Sequence, residues 1–178
     1  MSGSENSVGM PVGDVITIAP YDSRWPAEYE RVRSELSDAL GDRVVAVHHV
    51  GSTSVPGLDA KPIIDILVTV RSLEESLALR PELEALGFVY RPDDEIPDRH
   101  YFPRTVGGLR RHHVSLAEPD SRHSRNTLAF RNALRADRLL ASRYAALKRG
   151  LAKAAGTDRL AYLNGKTAFI LGVVHSGG

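Results

Sequence analysis

Residues 44–70 read VVAVHHVGSTSVPGLDAKPIIDILVTV, and the pattern of this stretch decides the fold. The β-branched run at 44–50 predicts a buried strand that leads into a tight loop beginning at Gly51. The apolar run at 63–70 predicts a second strand, which is apolar on both faces and therefore central in its sheet. Asp65 places a single charge inside that strand. A carboxylate in such surroundings requires either a partner or a function.

Helices are predicted on both sides of this stretch. Before it, five apolar residues recur at spacings of four, three, four and four, and they therefore share one helix face: Trp25, Tyr29, Val32, Leu36 and Leu40. Gly41 supplies the C-terminal stop. After it, Ser72 and Glu75 form a capping box for a helix that Gly87 ends.

The remaining segments predict a sheet followed by a helical C-terminal third. Short strands are expected at 15–18, 88–91, 100–105 and 112–117, and helices at 128–134, 139–151 and 160–170. Asp137 and Asp158 are suitable N-caps for the last two helices. The element order indicates an α+β (α/β-like) fold, with a mixed sheet and helices packed on it. We expect one domain at 15–176 and a flexible Ser- and Gly-rich tail at 1–14.

Composition narrows the function classes. The 178 residues contain 23 Lys and Arg against 22 Asp and Glu, without a long basic run, which argues against a general nucleic-acid-binding coat. The absence of cysteine excludes disulfides, thiolate metal sites and a cysteine nucleophile. Neither a spanning apolar stretch nor a signal peptide is evident, so we expect a cytoplasmic protein with no membrane partner.

Gly51 and Ser52 have the chemistry of a phosphate-binding loop. Glycine lets the backbone approach a ligand closely, and exposed N–H groups and hydroxyls can meet phosphate oxygens. The pair alone is common in ordinary turns. Asp65 on the next strand admits two explanations: it binds Mg²⁺ together with substrate phosphates, or it forms a salt bridge to Lys61 or to an arginine.

Several stretches of the chain resemble the GrpB family. The most specific are His48-His49-Val50-Gly51-Ser52-Thr53-Ser54-Val55-Pro56-Gly57-Leu58 and Lys61-Pro62-Ile63-Ile64-Asp65-Ile66-Leu67. The similarity continues at 20–22, 25–26, 99–102, 112–114, 130–131, 144–148 and 162–170. It covers about residues 15–174.

The resemblance implies a fold and an activity. The GrpB family is similar to the nucleotidyltransferase superfamily, which has a short mixed sheet flanked by helices and binds a nucleoside triphosphate with metal ions. On that basis Gly51, Ser52 and Thr53 would contact the triphosphate, and Asp65 would bind Mg²⁺. Lys61 would neutralise phosphate charge or pair with Asp65.

The chain departs from the superfamily pattern at the metal site. Side chains two residues apart share a strand face, so a second carboxylate is expected two residues from Asp65. Ile63 and Leu67 occupy those positions, which puts a two-metal mechanism in doubt. His113 could complete the site, although the family's His-x-His pattern has Ser115 at its second position here. His113 could equally be a hydrogen-bonded sheet residue.

Other candidates have weaker signals. His49 could orient the loop, act as a general base, or be a strand-end histidine bonded to a carbonyl group. Triphosphates need several cationic donors, and the candidates are Arg99, Arg104, Arg131, Lys148 and Lys166. Any of these cations could instead be solvated on a helix surface. Tyr101 and Phe102 should face opposite sides of the sheet, whereas Tyr162 and Lys166 should share a helix face.

The leading hypothesis is an enzyme that transfers a nucleoside monophosphate from a triphosphate to a small-molecule acceptor. Asp65, His49 and Lys61 are its candidate catalytic residues, and Mg²⁺ is its expected cofactor. A second hypothesis is a nucleotide-binding regulatory module without turnover. A third is a small-molecule kinase or phosphohydrolase that uses the same phosphate site. A homodimer is compatible with the sequence.

Overall fold

The computed structural model describes residues 15–177, so the predicted tail at 1–14 lies outside the described residues. Four strands form the sheet: β1 (Val44–Val50), β2 (Ile64–Val70), β3 (His100–Val106) and β4 (Leu109–Ala117). Five α-helices surround it: α1 (Trp25–Leu40), α2 (Arg80–Ala85), α3 (Arg122–Ala136), α4 (Arg138–Ala155) and α5 (Arg159–Ser176). Short 3₁₀ turns occur at Gly41–Arg43, Ser52–Ser54 and Glu75–Leu79. The predicted helical C-terminal third is confirmed.

The sheet is mixed, and β2 lies inside it. The strand order is β1-β2-β4-β3, with antiparallel pairs β1/β2 and β3/β4 and a parallel pair β2/β4. A strand buried on both faces should be apolar throughout, and six of the seven residues of β2 are buried while Asp65 is partly exposed. The mixed α+β fold predicted from the sequence is therefore confirmed.

The two faces of the sheet carry different layers. One face packs on α1 and α2 through a large apolar cluster that includes Leu36, Ile66, Leu83, Phe102 and Val114. Helices α3, α4 and α5 form a separate layer, with its own cluster of aromatic and aliphatic side chains. Because side chains alternate along a strand, Asp65 on β2 points away from the α1 layer that buries its neighbours Ile64 and Ile66.

Several local predictions agree with the structure. The Asp137 side chain accepts hydrogen bonds from Leu139 N and Leu140 N (2.8 and 3.0 Å), and Asp158 accepts one from Ala161 N (3.0 Å). Both predicted N-caps are thus confirmed. Ser121 provides a cap that was not predicted: it caps α3 by accepting from Ser124 N (3.1 Å).

Several predicted elements differ from the structure. Residues 15–18 form no strand, although the next residue, Ala19, makes an isolated bridge to Ala60, and 88–91 contributes only the isolated bridges of Phe88 with Arg104 and Arg91 with Tyr101. The helix predicted after Ser72 begins as the 3₁₀ turn and becomes α-helical only at Arg80. Strand β4 starts three residues earlier than predicted.

The early start of β4 follows from its turn. Gly107 and Gly108 both have positive φ (58° and 76°), a region that glycine adopts without steric penalty. The turn therefore lets Val106 pair directly with Leu109. None of the described helices is both long enough and apolar enough to cross a bilayer.

Replacing Asp137 with alanine should lower the free energy of unfolding by about 1 kcal/mol, because two N–H groups at the start of α4 lose their acceptor. Asp137→Asn is the matched control, because its amide oxygen can still accept. Urea denaturation of the three proteins measures the difference. Equal losses for the two variants would contradict a capping role.

Candidate functional site

A cavity of about 400 Å³ lies between the sheet and the C-terminal helices. We call it the central pocket. Its wall contains the loop after β1, the pocket-facing side of β2 and β4, and parts of α4 and α5. The polar and aromatic lining residues are Ser52, Thr53, Lys61, Asp65, Asp94, Arg99, Tyr101, His113, Ser115, His123, Thr127, Lys148, Arg159, Tyr162 and Lys166.

Gly51 joins β1 to the floor of the central pocket. Its φ of 71° and ψ of −175° are strained for any residue with a side chain. A Cβ built at this position would also overlap the Asp65 carboxylate, notably Oδ2. Glycine is therefore required twice, once by its backbone conformation and once by the packing of β1 against Asp65.

Asp65 and His113 are brought together by the parallel pairing of β2 with β4. They are register partners, and His113 Nδ1–H donates to Asp65 Oδ1 (3.0 Å), since an ionised carboxylate can only accept. The Asp65 side chain is 38% exposed and that of His113 is 15% exposed. His113 Nε2 is buried and has no hydrogen-bond partner within residues 15–177. The pair thus presents a partly open carboxylate, oriented by an imidazole, to the central pocket.

His49 supports the loop from the other side of the sheet. Thr53 Oγ1 donates to Ile63 O (3.0 Å), so His49 Nε2–H donates to Thr53 Oγ1 (3.0 Å). The imidazole stacks on Tyr29 of α1, with ring centroids 4.6 Å apart. Burial lowers the pKa of His49 to about 4. The positive charges of Arg135 and Arg131 lower it as well, whereas the negative charge of Asp65 opposes the shift. Of its predicted roles, orientation of the loop fits this geometry, whereas a general base in the pocket does not.

Lysines from three parts of the chain reach the central pocket. Lys61 precedes β2, Lys148 lies on α4, and Lys166 lies on α5. Lys148 is only 2% exposed, and its Nζ donates to Asp59 O (2.7 Å) while lying 4.8 Å from the Tyr144 ring centre. Burial and then the nearby Lys166, partly opposed by Asp65, lower the pKa of Lys148 to about 7.

Lys166 on α5 lies against a tyrosine ring of its own helix, as Lys148 does on α4. Its Nζ lies 4.5 Å from the centre of the Tyr162 ring, which confirms that these two residues share a helix face. Burial lowers the pKa of Lys166, and the charges of Lys61 and Arg159 lower it further, against an opposing effect of Asp65. Arg159, at the start of α5, was not a sequence candidate. Its positive charge alone did not distinguish it from other arginines in the sequence, because its position at the pocket depends on how the helices pack.

The structure does not bring Arg104 to the central pocket. On β3 it faces the α1 layer together with Phe102, because side chains two residues apart share a face. Its guanidinium donates to Glu35 Oε2 (2.9 Å) and to His112 Nδ1 (3.1 Å). Arg104 therefore lies outside the described lining of the central pocket, and its predicted contact with a nucleotide stays a prediction.

Arg131 is also absent from the described pocket lining. Its Nη1 donates to His49 O (3.0 Å) and its other nitrogens contact Asn132, so it connects α3 to the end of β1. This geometry supports an indirect role in holding the loop rather than the predicted contact with a nucleotide.

The end of the central pocket nearest β3 is polar but balanced in charge. Arg99 forms a bidentate ion pair with Asp94 (2.7 Å for each hydrogen bond), and its guanidinium lies 4.6 Å from the Tyr101 ring centre. Burial and the positive charge of Arg99 lower the pKa of His123 to about 4. The carboxylates of Asp98 and Asp94 oppose this shift. Tyr101 lines the pocket while Phe102 is fully buried, as their alternation predicted.

The sequence matches the family model described as "GrpB protein" over residues 15–176. The chain belongs to the GrpB family. A UPF0157 protein of Streptomyces coelicolor is 37% identical over 166 residues, covering 93% of this chain and 86% of that protein. UPF0157 protein YqkA of Bacillus subtilis is 34% identical over 155 residues, covering 87% of this chain but 45% of YqkA. This chain thus spans less than half of YqkA.

Comparison with solved structures finds a protein of the same family and more distant proteins that share the fold. Conserved protein GrpB from Enterococcus faecalis superposes with a TM-score of 0.81 and 34% identity, covering 90% of this chain and 96% of that chain. The Cid1 poly(U) polymerase with Mg 3'-dATP bound superposes with a TM-score of 0.52 and 18% identity, covering 76% and 43%. The nucleotidyltransferase-type fold implied by the resemblance is therefore confirmed.

Gly51→Ala should be more destabilising than Gly57→Ala. Both positions have positive φ (71° and 79°), but an added Cβ at Gly57 meets no atom within 4 Å, whereas one at Gly51 overlaps Asp65. We expect a loss of about 1 kcal/mol in the free energy of unfolding for Gly57→Ala and a larger loss for Gly51→Ala. Urea denaturation tests this order. Equal losses would show that Asp65 moves away from the added methyl group without penalty.

The buried His49 should make stability pH-dependent. Its folded pKa of about 4 lies below the ordinary value of 6.5, so the unfolded chain takes up the proton first, and the stabilisation falls as the pH drops. Between pH 7 and pH 5, the stability advantage of wild type over His49→Gln should shrink by about 2 kcal/mol. Denaturant titrations at both pH values measure it. An advantage independent of pH would contradict a buried, neutral imidazole.

Proposed function

We propose that the central pocket binds a nucleoside triphosphate and transfers its nucleoside monophosphate to a small-molecule acceptor. The observation that carries this proposal is the convergence of several cationic side chains on one small cavity, next to the Gly51 loop and Asp65. The fold of the chain, which it shares with nucleotidyltransferases, supports the same function. Proteins of this fold that bind Mg-nucleotides, such as Cid1, suggest the cofactor.

The charge balance of the central pocket favours a polyanion. Five described lining residues are cationic, and two are acidic: Lys61, Arg99, Lys148, Arg159 and Lys166 against Asp65 and Asp94. Because Asp94 is already paired with Arg99, Lys148, Arg159 and Lys166 exceed the remaining described carboxylate, Asp65, in number. Burial makes such an excess unfavourable unless a ligand compensates it. Triphosphate oxygens would do so through charge-assisted hydrogen bonds.

The residues present fit one Mg²⁺ ion rather than two. Mg²⁺ is commonly held by one or two carboxylates together with substrate phosphates and water, and Asp65 offers one partly exposed carboxylate. Residues 15–177 contain no cluster of three or more His, Cys, Asp or Glu side chains suited to a metal. When bound at Asp65, Mg²⁺ would supply positive charge next to the reacting phosphate.

His113 is better suited to positioning than to binding the metal itself. Its Nδ1–H already donates to Asp65, and its Nε2 is buried. A hydrogen bond of this kind fixes the orientation of a carboxylate that binds a metal. We therefore assign His113 to holding Asp65 in place, and Ser52 and Thr53 with the adjacent backbone to phosphate contact.

The chemistry required of the remaining residues is mainly positioning. The Gly51 loop and the lysines would fix the triphosphate, and fixed cations would stabilise the charge that develops as pyrophosphate leaves. The polar end of the pocket near β3, where Ser115 and Thr127 lie and where Arg99 is neutralised by Asp94, could receive a base or an acceptor. The small cavity supports a small-molecule acceptor rather than a polymer.

Transfer should be detectable with labelled nucleotides. Wild-type protein is incubated with each of the four nucleoside triphosphates labelled at the α-phosphate, with Mg²⁺ and a protein-free extract of small metabolites. We expect labelled small-molecule product and an equal amount of pyrophosphate. Asp65→Asn should lower the rate by about 10²-fold or more, whereas Asp120→Asn, the same change on an exposed residue, should not.

The same assay separates the competing functions. Transfer of label from the γ-phosphate, or release of free phosphate, would contradict nucleotidyl transfer and indicate a kinase or phosphohydrolase. Nucleotide binding that raises the melting temperature without any product would indicate a regulatory module, the alternative that the single strand carboxylate favours. Equal activity of Asp65→Asn and wild type would remove Asp65 from the mechanism.

A further inference from the structure

We propose that Lys61, Lys148, Lys166 and Arg159 take the place of a second metal ion, so that the pocket binds a triphosphate without requiring Mg²⁺. This inference rests on the proposed function and deepens it, because it states which groups neutralise the triphosphate. In this scheme a single Mg²⁺ at Asp65 contributes to the reaction but little to affinity.

The described residues on the pocket-facing side of the sheet offer only one carboxylate, that of Asp65. Ile63 and Leu67 lie two residues on either side of Asp65, and both line the central pocket. The cross-strand partners of Asp65 are Val50 and His113, which bring no further carboxylate. Among the described lining residues the other acid is Asp94, whose two oxygens are both bonded to Arg99. The described residues of the pocket lining therefore form no two-carboxylate metal site.

Cationic side chains instead line the same pocket as the partly exposed Asp65 carboxylate. The charges of Lys148 and Lys166 each interact with Asp65 and with at least one other cation: Lys148 with Lys166, and Lys166 with Lys61 and Arg159. Lys148 and Lys166 are thus held within electrostatic range of one carboxylate, and Lys61 and Arg159 lie within electrostatic range of Lys166. A bound polyanion would interact favourably with all four cations.

The lysines are held by the fold rather than extended into solvent. On α4, Lys148 lies four residues after Tyr144, and on α5, Lys166 lies four residues after Tyr162, so each ammonium group rests on the aromatic ring one turn before it. The Lys148 ammonium uses one hydrogen to bond Asp59 O, which leaves two donors. Such groups are preorganised, as donors for a phosphate chain should be.

Proton uptake provides an independent signature. Burial and neighbouring cations lower the pKa of both Lys148 and Lys166, the former to about 7. A bound polyanion favours their charged forms and raises these pKa values. Binding at pH 7.5 should therefore take up roughly one-half to one proton per site. Titration calorimetry in two buffers of different ionisation enthalpy measures this uptake.

Calorimetry with ATP and with inorganic tripolyphosphate, each in EDTA and in excess Mg²⁺, tests the proposal. We expect both ligands to bind in EDTA, with dissociation constants within about threefold of those in Mg²⁺. Lys166→Met and Lys61→Met should each weaken binding by about tenfold or more under both conditions. Lys153→Met removes an exposed lysine of α4 that does not line the central pocket, and it should bind as wild type does.

Each result has a distinct meaning. Binding that appears only with Mg²⁺ would overturn this inference and leave the proposed function standing. No binding of either ligand under any condition would overturn the proposed function, and this inference with it. Equal weakening by Lys153→Met and Lys166→Met would show that general surface charge, rather than the pocket lysines, holds the ligand. Lys61→Met lies on a loop and reports on the site even if Lys166→Met misfolds.

Discussion

The close contact between Gly51 and the Asp65 carboxylate is the constraint on which the rest of the structure depends. It sets how near the end of β1 comes to β2, and it works only because no side chain intervenes at Gly51. Two further hydrogen bonds hold the same place from opposite sides: His49 supports Thr53 from the α1 face, and His113 holds Asp65 from the pocket face. The loop and the carboxylate are therefore fixed relative to each other before any ligand arrives.

The strands and helices that define the fold could largely be predicted from sequence, because their apolar residues recur at the period of a strand or a helix. Asp65 and Gly51 stood out for the same reason, as exceptions to a local pattern. Arg104 and Arg131 could not be judged in this way. Whether a cation reaches a cavity depends on the face its strand presents and on tertiary partners such as Glu35, which lies 69 residues from Arg104.

The location of Arg159 and of the Asp94–Arg99 pair in the pocket could not be predicted from the sequence either. An arginine at the first position of a helix resembles any solvated helix-end residue, and Asp94 lies in a loop with several acids, so no local signal distinguished either. Their place in the pocket depends on how α5 packs beside α4 and how 92–99 lies against β4. Burial then separates the roles: Asp94 and Arg99 neutralise each other, whereas burial lowers the pKa of the lysines on α4 and α5, an effect that Asp65 only partly opposes.

The division of the core into two layers affects which positions of this protein can be substituted independently of the others. The cluster that stabilises the sheet draws on α1, α2 and the strands, whereas α4 and α5 pack in two other clusters, one of which includes Val55 and Leu58 of the segment between β1 and β2. Positions of α5 that face the cavity can therefore be exchanged without disturbing the large cluster between α1 and the sheet. One scaffold can in this way keep the core of its sheet while its helical wall diversifies toward different ligands.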